Sequence, residues 1–240
     1  MAREVLAVCL PPVEPASVRQ AVAEAMAPYD HNNTQDGLPA AEWDAWWMGA
    51  AGREYGIRQG MEDDPRLIRE CEPTREGQTY VVPWNRCSGG PLELLDIEGQ
   101  RSRAVAAADE LWQAWTEFSA GFPPADTLED LIAQEPGATL LHAGPAWHRY
   151  AAQPVMRAVL NDPALSARFG QRAVGDFAVG RDAFLRRAAC ASVAQDALLT
   201  LDGEWIAPVS PQDHEFAGTV DRYIDTVAPD AVLVNITYHS

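Results

Sequence analysis

Asp30, His31, Asp44 and His239 carry the residue types needed for general acid-base work or for holding a divalent cation. Imidazole titrates near neutrality, and carboxylates are hard oxygen ligands. No spacing signature such as HExxH accompanies them, and each has a plainer reading. An aspartate behind a helix commonly bonds its own backbone in a turn, and a histidine beside a chain end is commonly solvated. The stretch EWDAWWMGAAGR, residues 42–53, sets Asp44 among Trp43, Trp46 and Trp47, three of the chain's eight tryptophans. If this stretch is a strand, Trp43 and Trp47 share one face, and Trp46 shares the other with Asp44. An indole and a carboxylate on one surface can hold a planar or cationic ligand; the alternative is core packing alone. A buried Asp44 would need a donor, which Arg53 or Arg86 could supply. In RCSGG, Arg86 precedes flexible backbone, which is either an anion nest or a tight turn.

These residues need elements to position them. EVLAVCLPP reads as a buried strand stopped by two prolines. In PASVRQAVAEAMAPYD, Val18, Val22 and Met26 recur at near-helical spacing behind a candidate N-cap, Ser17, and Pro28 ends the run. HNNTQDGLPA has loop composition, EWDAWWMG is an aromatic strand candidate, and QTYVVPW is a second extended piece. From Gln100, QRSRAVAAADELWQAWTEF carries Val105, Ala108, Leu111, Trp112, Trp115 and Phe118 on one stripe, closed by Gly121 and Pro123. Shorter helices fit DTLEDLIAQE, QPVMRAVLND and GRDAFLRRAACASVAQ, while EPGATLLHAGPAWHRY is rich in turn residues. ALLTLDGEWIAP is a hairpin around Asp202-Gly203. DHEFAGTVDRYIDTVAPD is an amphipathic helix, and AVLVNITYHS alternates as a strand, with Val232, Val234, Ile236 and Tyr238 facing one way.

This order predicts a single α+β domain over 1–240 with a ferredoxin-like, mainly antiparallel sheet. The terminal strand pairs beside the first, and helices cover one face. Residues 1–60 supply a strand-helix-strand half, 61–195 a mostly helical insertion, and 196–240 a hairpin-helix-strand half.

Composition narrows the chemistry. The formal charge is -17, from 35 acidic and 18 basic residues, and every basic residue is arginine. Without lysine there is no Schiff base, no pyridoxal-phosphate anchor and no P-loop nucleotide site. Strong acidity argues against nucleic acid and anionic membranes as partners. Cys9, Cys71, Cys87 and Cys190 form no CxxC pair, so reduced thiols are expected. No apolar run suits a signal peptide or a membrane span, which predicts a cytoplasmic protein.

Five stretches together, APYDHN, EWDAWWMG, RCSGGPLELLDIEGQ, ALLTLDGEWIAP and the terminal VNITYHS, resemble an uncharacterised protein family. Actinobacterial phages and genomes such as those of streptomycetes carry that family. Its PYD, WDWW, arginine-cysteine-aspartate-glycine-glycine and C-terminal DCH motifs follow in this order. The resemblance implies a phage or mobile-element setting, in the host cytoplasm if phage-encoded, and a set of positions rather than a reaction. Those positions are Tyr29, Asp30, Asn32, Trp43, Asp44, Trp46, Trp47, Gly49, Arg86, Cys87, Gly89, Gly90, Asp96, Asp202, Gly203, Trp205 and His239. The chain departs from the pattern where GAAGRE replaces Gly-Gly-Arg-Trp, and where Thr237 and Tyr238 replace the aspartate and cysteine before the terminal histidine.

Two functions are consistent with these residues. One is an accessory protein that binds a small polar ligand or a host protein through an aromatic and acidic sheet face, with Asn32, Trp43, Trp46, Trp47, Arg53, Arg86 and Trp205 as ligand contacts. The other is a small enzyme using Asp30, Asp44 and His239 on an anionic small molecule. It could be assisted by a divalent metal held by Asp30, His31, Asp44 and His239.

Overall fold

A computed structural model describes residues 3–33, 37–71, 80–135, 144–210 and 213–239. The chain divides into two compact units, Met1–Ser102 with Ala189–Ser240, and Arg103–Ala188. It is an α+β protein with a mixed sheet. Among the described residues no helix is long and apolar enough to cross a membrane.

The first unit is built on two long apolar strands, β1 (Arg3–Leu10) and β8 (Val232–His239), which pair antiparallel with Val8 opposite Val234. Between them in sequence come α1 (Val18–Met26), β2 (Ala45–Met48), β3 (Tyr55–Gly56), β4 (Arg86–Cys87), β5 (Gly89–Pro91) and the start of α2 (Ile97–Ser119). Later come the end of α8 (Arg181–Val193), β6 (Ala197–Leu199), β7 (Trp205–Ile206) and α9 (His214–Thr226). The sheet runs β2-β8-β1-β6-β7, with β6 parallel to β1 and the β6–β7 hairpin turning at Gly203 (φ 79°). Two short strands share the outer edge of β8: β2 lies opposite Ile236–His239, and β5 opposite Val232–Val234. Gly89 makes the second contact possible, because a Cβ there would collide with the Leu233 carbonyl oxygen and Val234 Cα. RCSGG therefore serves strand pairing.

Helices cover both faces of this sheet, which corrects the expectation that they share one. Val18, Val22 and Met26 of α1 pack with Leu6, Val8, Val234 and Ile236. Phe216, Val220 and Ile224 of α9 pack with Ala7, Cys9, Leu198 and Leu233 on the opposite face. The cause is in the strands. Leu6, Ala7 and Val8 are wholly buried, as are Leu233 through Ile236, so neither face of β1 or β8 can be left to solvent. Each fully buried leucine or valine there stabilises the fold by about 1.5–3 kcal/mol. Asn235 is the polar exception in this run: its Nδ2 donates to the Arg53 carbonyl at 2.6 Å.

The second unit is helical. The remainder of α2 and the first part of α8 join α3 (Leu128–Ala133), α4 (Gly144–Ala152), α5 (Pro154–Asn161), α6 (Pro163–Phe169) and α7 (Ala173–Ala178). Its core centres on Trp115, Tyr150, Met156, Phe169 and Phe177. Thr127 and Asp130 form a reciprocal capping box that starts α3, and Asp162 caps α6.

Several local expectations change. Ser17 occupies the N-cap position of α1 without a side-chain bond. Of QTYVVPW, Gln78 and Thr79 lie outside the described residues. The rest is not a strand, with Val81 79% and Trp84 65% exposed, and the pairing role falls to Arg86–Cys87. Residues 144–152 are helical although their sequence reads as turns, and α6 and α7 arise where no helix is expected.

Candidate functional site

Asp44 and His239 come together at the end of β8. Ala45 is the register partner of His239, and Asp44 lies just outside β2, in a bend. Its backbone N–H donates to the His239 carbonyl at 3.0 Å, and its Oδ1 lies 2.8 Å from His239 Nδ1. A carboxylate on Nδ1 sets the orientation of the imidazole and leaves Nε2 for other chemistry. Nε2 has no hydrogen-bond partner among the described residues.

Asp30 does not join this pair. Its Oδ1 accepts from the Asn32 backbone N–H at 2.8 Å and from Asn32 Nδ2 at 3.0 Å, so both residues close a turn. His31 is exposed beside them, its backbone N–H donating to the Trp43 carbonyl. Among the described residues no three His, Cys, Asp or Glu side chains converge as a metal set, so Asp30, His31, Asp44 and His239 do not form the cation site considered from sequence.

The tryptophans follow a different parity from that expected. Trp43 lies outside β2, and the bend at Asp44 interrupts the alternation; its indole is buried in the α1-side core and donates to the Met26 carbonyl at 3.0 Å. Trp46 packs on that same side, opposite Tyr238, so it does not share a surface with Asp44. Trp47 alternates to the other face with Thr237 and His239. Each of these half-buried indoles has one of the chain's own cations over its ring: the Arg19 guanidinium lies 5.9 Å from the Trp46 ring centre and that of Arg3 5.1 Å from that of Trp47. Aromatic crowding here anchors β2.

Arg53 and Arg86 also serve elsewhere. Arg53 Nε donates to Gln195 Oε1 at 3.0 Å, and Nη2 to Asp196 Oδ1 at 3.2 Å. Arg86 Nη1 donates to the Glu54 carbonyl at 3.2 Å. Asp44 thus takes its partner from His239, not from arginine. Trp205 packs between Tyr29 (5.1 Å) and Tyr238 (5.4 Å), as part of the α1-side core.

Beside the Asp44–His239 pair opens a cleft of about 810 Å³, where β1 and β6 begin and β8 ends. Arg3, the register partner of His239, lines it, and so does Glu42, two residues before Asp44. Glu4, Asp196 and Tyr238 complete the sheet side, and Asp213 and Phe216 the start of α9. Tyr238 Oη donates to Glu4 Oε2 at 2.5 Å. Burial pushes the phenol pKa well above its ordinary value, and the hydrogen bond and negative charge of Glu4 push it further. Asp196 is held by Arg53 and by the Val5 backbone N–H at 2.8 Å. Sequence reasoning missed Glu4, Glu42, Asp196 and Tyr238. The one available signal was the alternation of β8, which puts Tyr238 one position from His239 on the opposite face.

No family model, no curated protein and no solved structure matches this chain.

Proposed function

We propose that this chain is a binding protein for a small polar ligand carrying positive charge, held in the cleft at the sheet end. The carrying observation is the lining: the four carboxylates Glu4, Glu42, Asp196 and Asp213 outnumber the one cation, Arg3, beside Tyr238 and Phe216. An organic amine or guanidine finds there both charge and an aromatic surface. We read the neighbours β8, β1 and β6 as the central part of a ferredoxin-like sheet, with helices on both faces as its departure. The motif resemblance supports an accessory role in a phage or integrated element.

Thermal unfolding with putrescine, spermidine or argininamide at matched ionic strength tests this reading. One of them is expected to raise Tm saturably, with a stabilisation approaching about 2.7 kcal/mol at a hundredfold excess over Kd. Glu42→Gln should weaken that ligand about tenfold, the loss of one charge-assisted contact. Shifts no larger than those of sodium at equal ionic strength, with a host protein captured instead, would move the assignment to a protein-binding surface.

A second reading, an acid-base enzyme, is favoured by the 2.8 Å Asp44–His239 contact. An oriented imidazole with an unengaged Nε2 should cleave an activated ester such as 4-nitrophenyl acetate. That rate is expected to fall about a hundredfold in His239→Ala and in Asp44→Asn, at the lower end of the usual span of acid-base contributions of about 10²–10⁴. Equal rates in the variants and the parent chain remove this reading.

A further inference from the structure

A second cavity of about 320 Å³ lies in the sheet-bearing unit, away from the strand ends just described. Its floor is apolar: Leu92, Ile97 and Ile224 are each less than a tenth exposed, and Val227 adds to them. The rim is charged, and its charges are unequally satisfied. Glu93 pairs with Arg66 at 2.7 Å, while Glu98 and Asp225 pair with Arg101 at 3.4 and 2.8 Å. Arg58 is the exception. Its Nε donates to the Leu95 carbonyl at 3.1 Å, which fixes the plane of the guanidinium, and it has no carboxylate partner among the described residues. The fork formed by Nη1 and Nη2 is therefore left for a planar anion. Ile97 and Glu98 bring the first turn of the 23-residue α2 to the same cavity, but its end is already capped by Asp96, whose Oδ1 accepts from the Gly99 N–H at 3.1 Å, so the anion's place rests on Arg58.

We propose that this cavity binds a small aliphatic carboxylate, its carboxyl group on the Arg58 fork and its tail on Leu92, Ile97, Ile224 and Val227. A cationic ligand fits less well, because every rim carboxylate already has an arginine. A strongly hydrated inorganic anion would leave the apolar floor unused. The volume corresponds to about ten waters at liquid density, which leaves room for a short acyl chain.

Isothermal titration of the full chain with hexanoate and with 1-hexanol, in 0.15 M salt, tests the proposal. Hexanoate is expected to bind at least tenfold more tightly than the alcohol. Arg58→Gln should abolish that preference while keeping the weak binding of 1-hexanol, which also reports that the cavity remains folded. Arg58→Lys should recover part of the preference, as a point charge without the fork. Equal affinities for acid and alcohol in the parent chain, no measurable hexanoate binding, or an unchanged preference in Arg58→Gln would each overturn it. Glu42→Gln, in the other cleft, is expected to leave hexanoate binding unaltered, so the two sites fail or succeed separately.

Discussion

Asn235→Asp is expected to destabilise the protein by about 3–5 kcal/mol at pH 8, and by far less at pH 5.5. Asn235 is wholly buried in the middle of β8, and its side chain donates to the Arg53 carbonyl. A carboxylate there would face that carbonyl oxygen with no donor and no counter-charge. Burial of this kind raises a carboxyl pKa by up to about 3–5 units, so the introduced group is neutral at the lower pH. In its protonated form it can donate to Arg53 as the amide does. The sign follows: the folded variant binds a proton that its unfolded chain has released, so its stability relative to the parent rises as pH falls. Urea unfolding of both proteins at the two pH values measures this. A penalty of the same size at both would mean that position 235 tolerates charge. Asn235→Leu is expected to cost about 1–3 kcal/mol at either pH, because the Arg53 carbonyl keeps only the long 3.5 Å contact from Gln195 Nε2.

Alkaline pH is expected to weaken the fold steeply above pH 9. Burial pushes the Cys9 thiol up to about 12, against a smaller opposing hydrogen bond from Tyr223, and it pushes Cys87 up to about 11, against one from the Gly89 backbone. In the unfolded chain both thiols ionise near their ordinary value of 9.0. Between pH 9 and 11 the folded state holds protons that the unfolded state has shed. Stability therefore falls with rising pH, by about 1.4 kcal/mol per pH unit for each thiol. Tyr55, wholly buried between them, adds to the slope above pH 10, because burial raises its phenol even further. The measurement is the urea midpoint from pH 8.5 to 10.5. Cys87→Ala should show a shallower fall than the parent; the same slope in both would mean that this thiol ionises freely in the folded chain.

Much of the local structure was legible because its signals are short-range. Asp202-Gly203 marks a hairpin because a glycine tolerates the positive φ that the turn requires, and the turn is where the dipeptide indicates. The period of α9 and the alternation of β8 state which residues face a core, and Val232, Val234, Ile236 and Tyr238 do share one cluster. The unbroken apolar run of β1 also signals a strand covered on both faces, although reading the strand order by itself pointed to helices on one. Sequence put Asp44 and His239 in one group with Asp30 and His31, and of these only Asp44 and His239 meet through their side chains.

The rest depended on contacts far apart in sequence. One bend at Asp44 reversed the faces of the tryptophans, since a shift of a single residue exchanges the two sides of a strand. Nothing local to EWDAWW says that Arg3 and Arg19 will cover its indoles, or that Arg53 will turn to Gln195 and Asp196, more than 140 positions away. The acidic cleft is assembled from the starts of β1 and β6, the end of β8 and the start of α9, and the Arg58 cavity from residues between 58 and 229. Amino-acid order by itself determined the long strands, the amphipathic α1, α2 and α9 and the Asp202-Gly203 hairpin, because propensity and periodicity act within a few residues; residues 144–152, α6 and α7 became helical only through packing in the second unit. Only tertiary structure decided which charges meet and which remain without a partner, because that depends on pairing register and on which faces the helices cover.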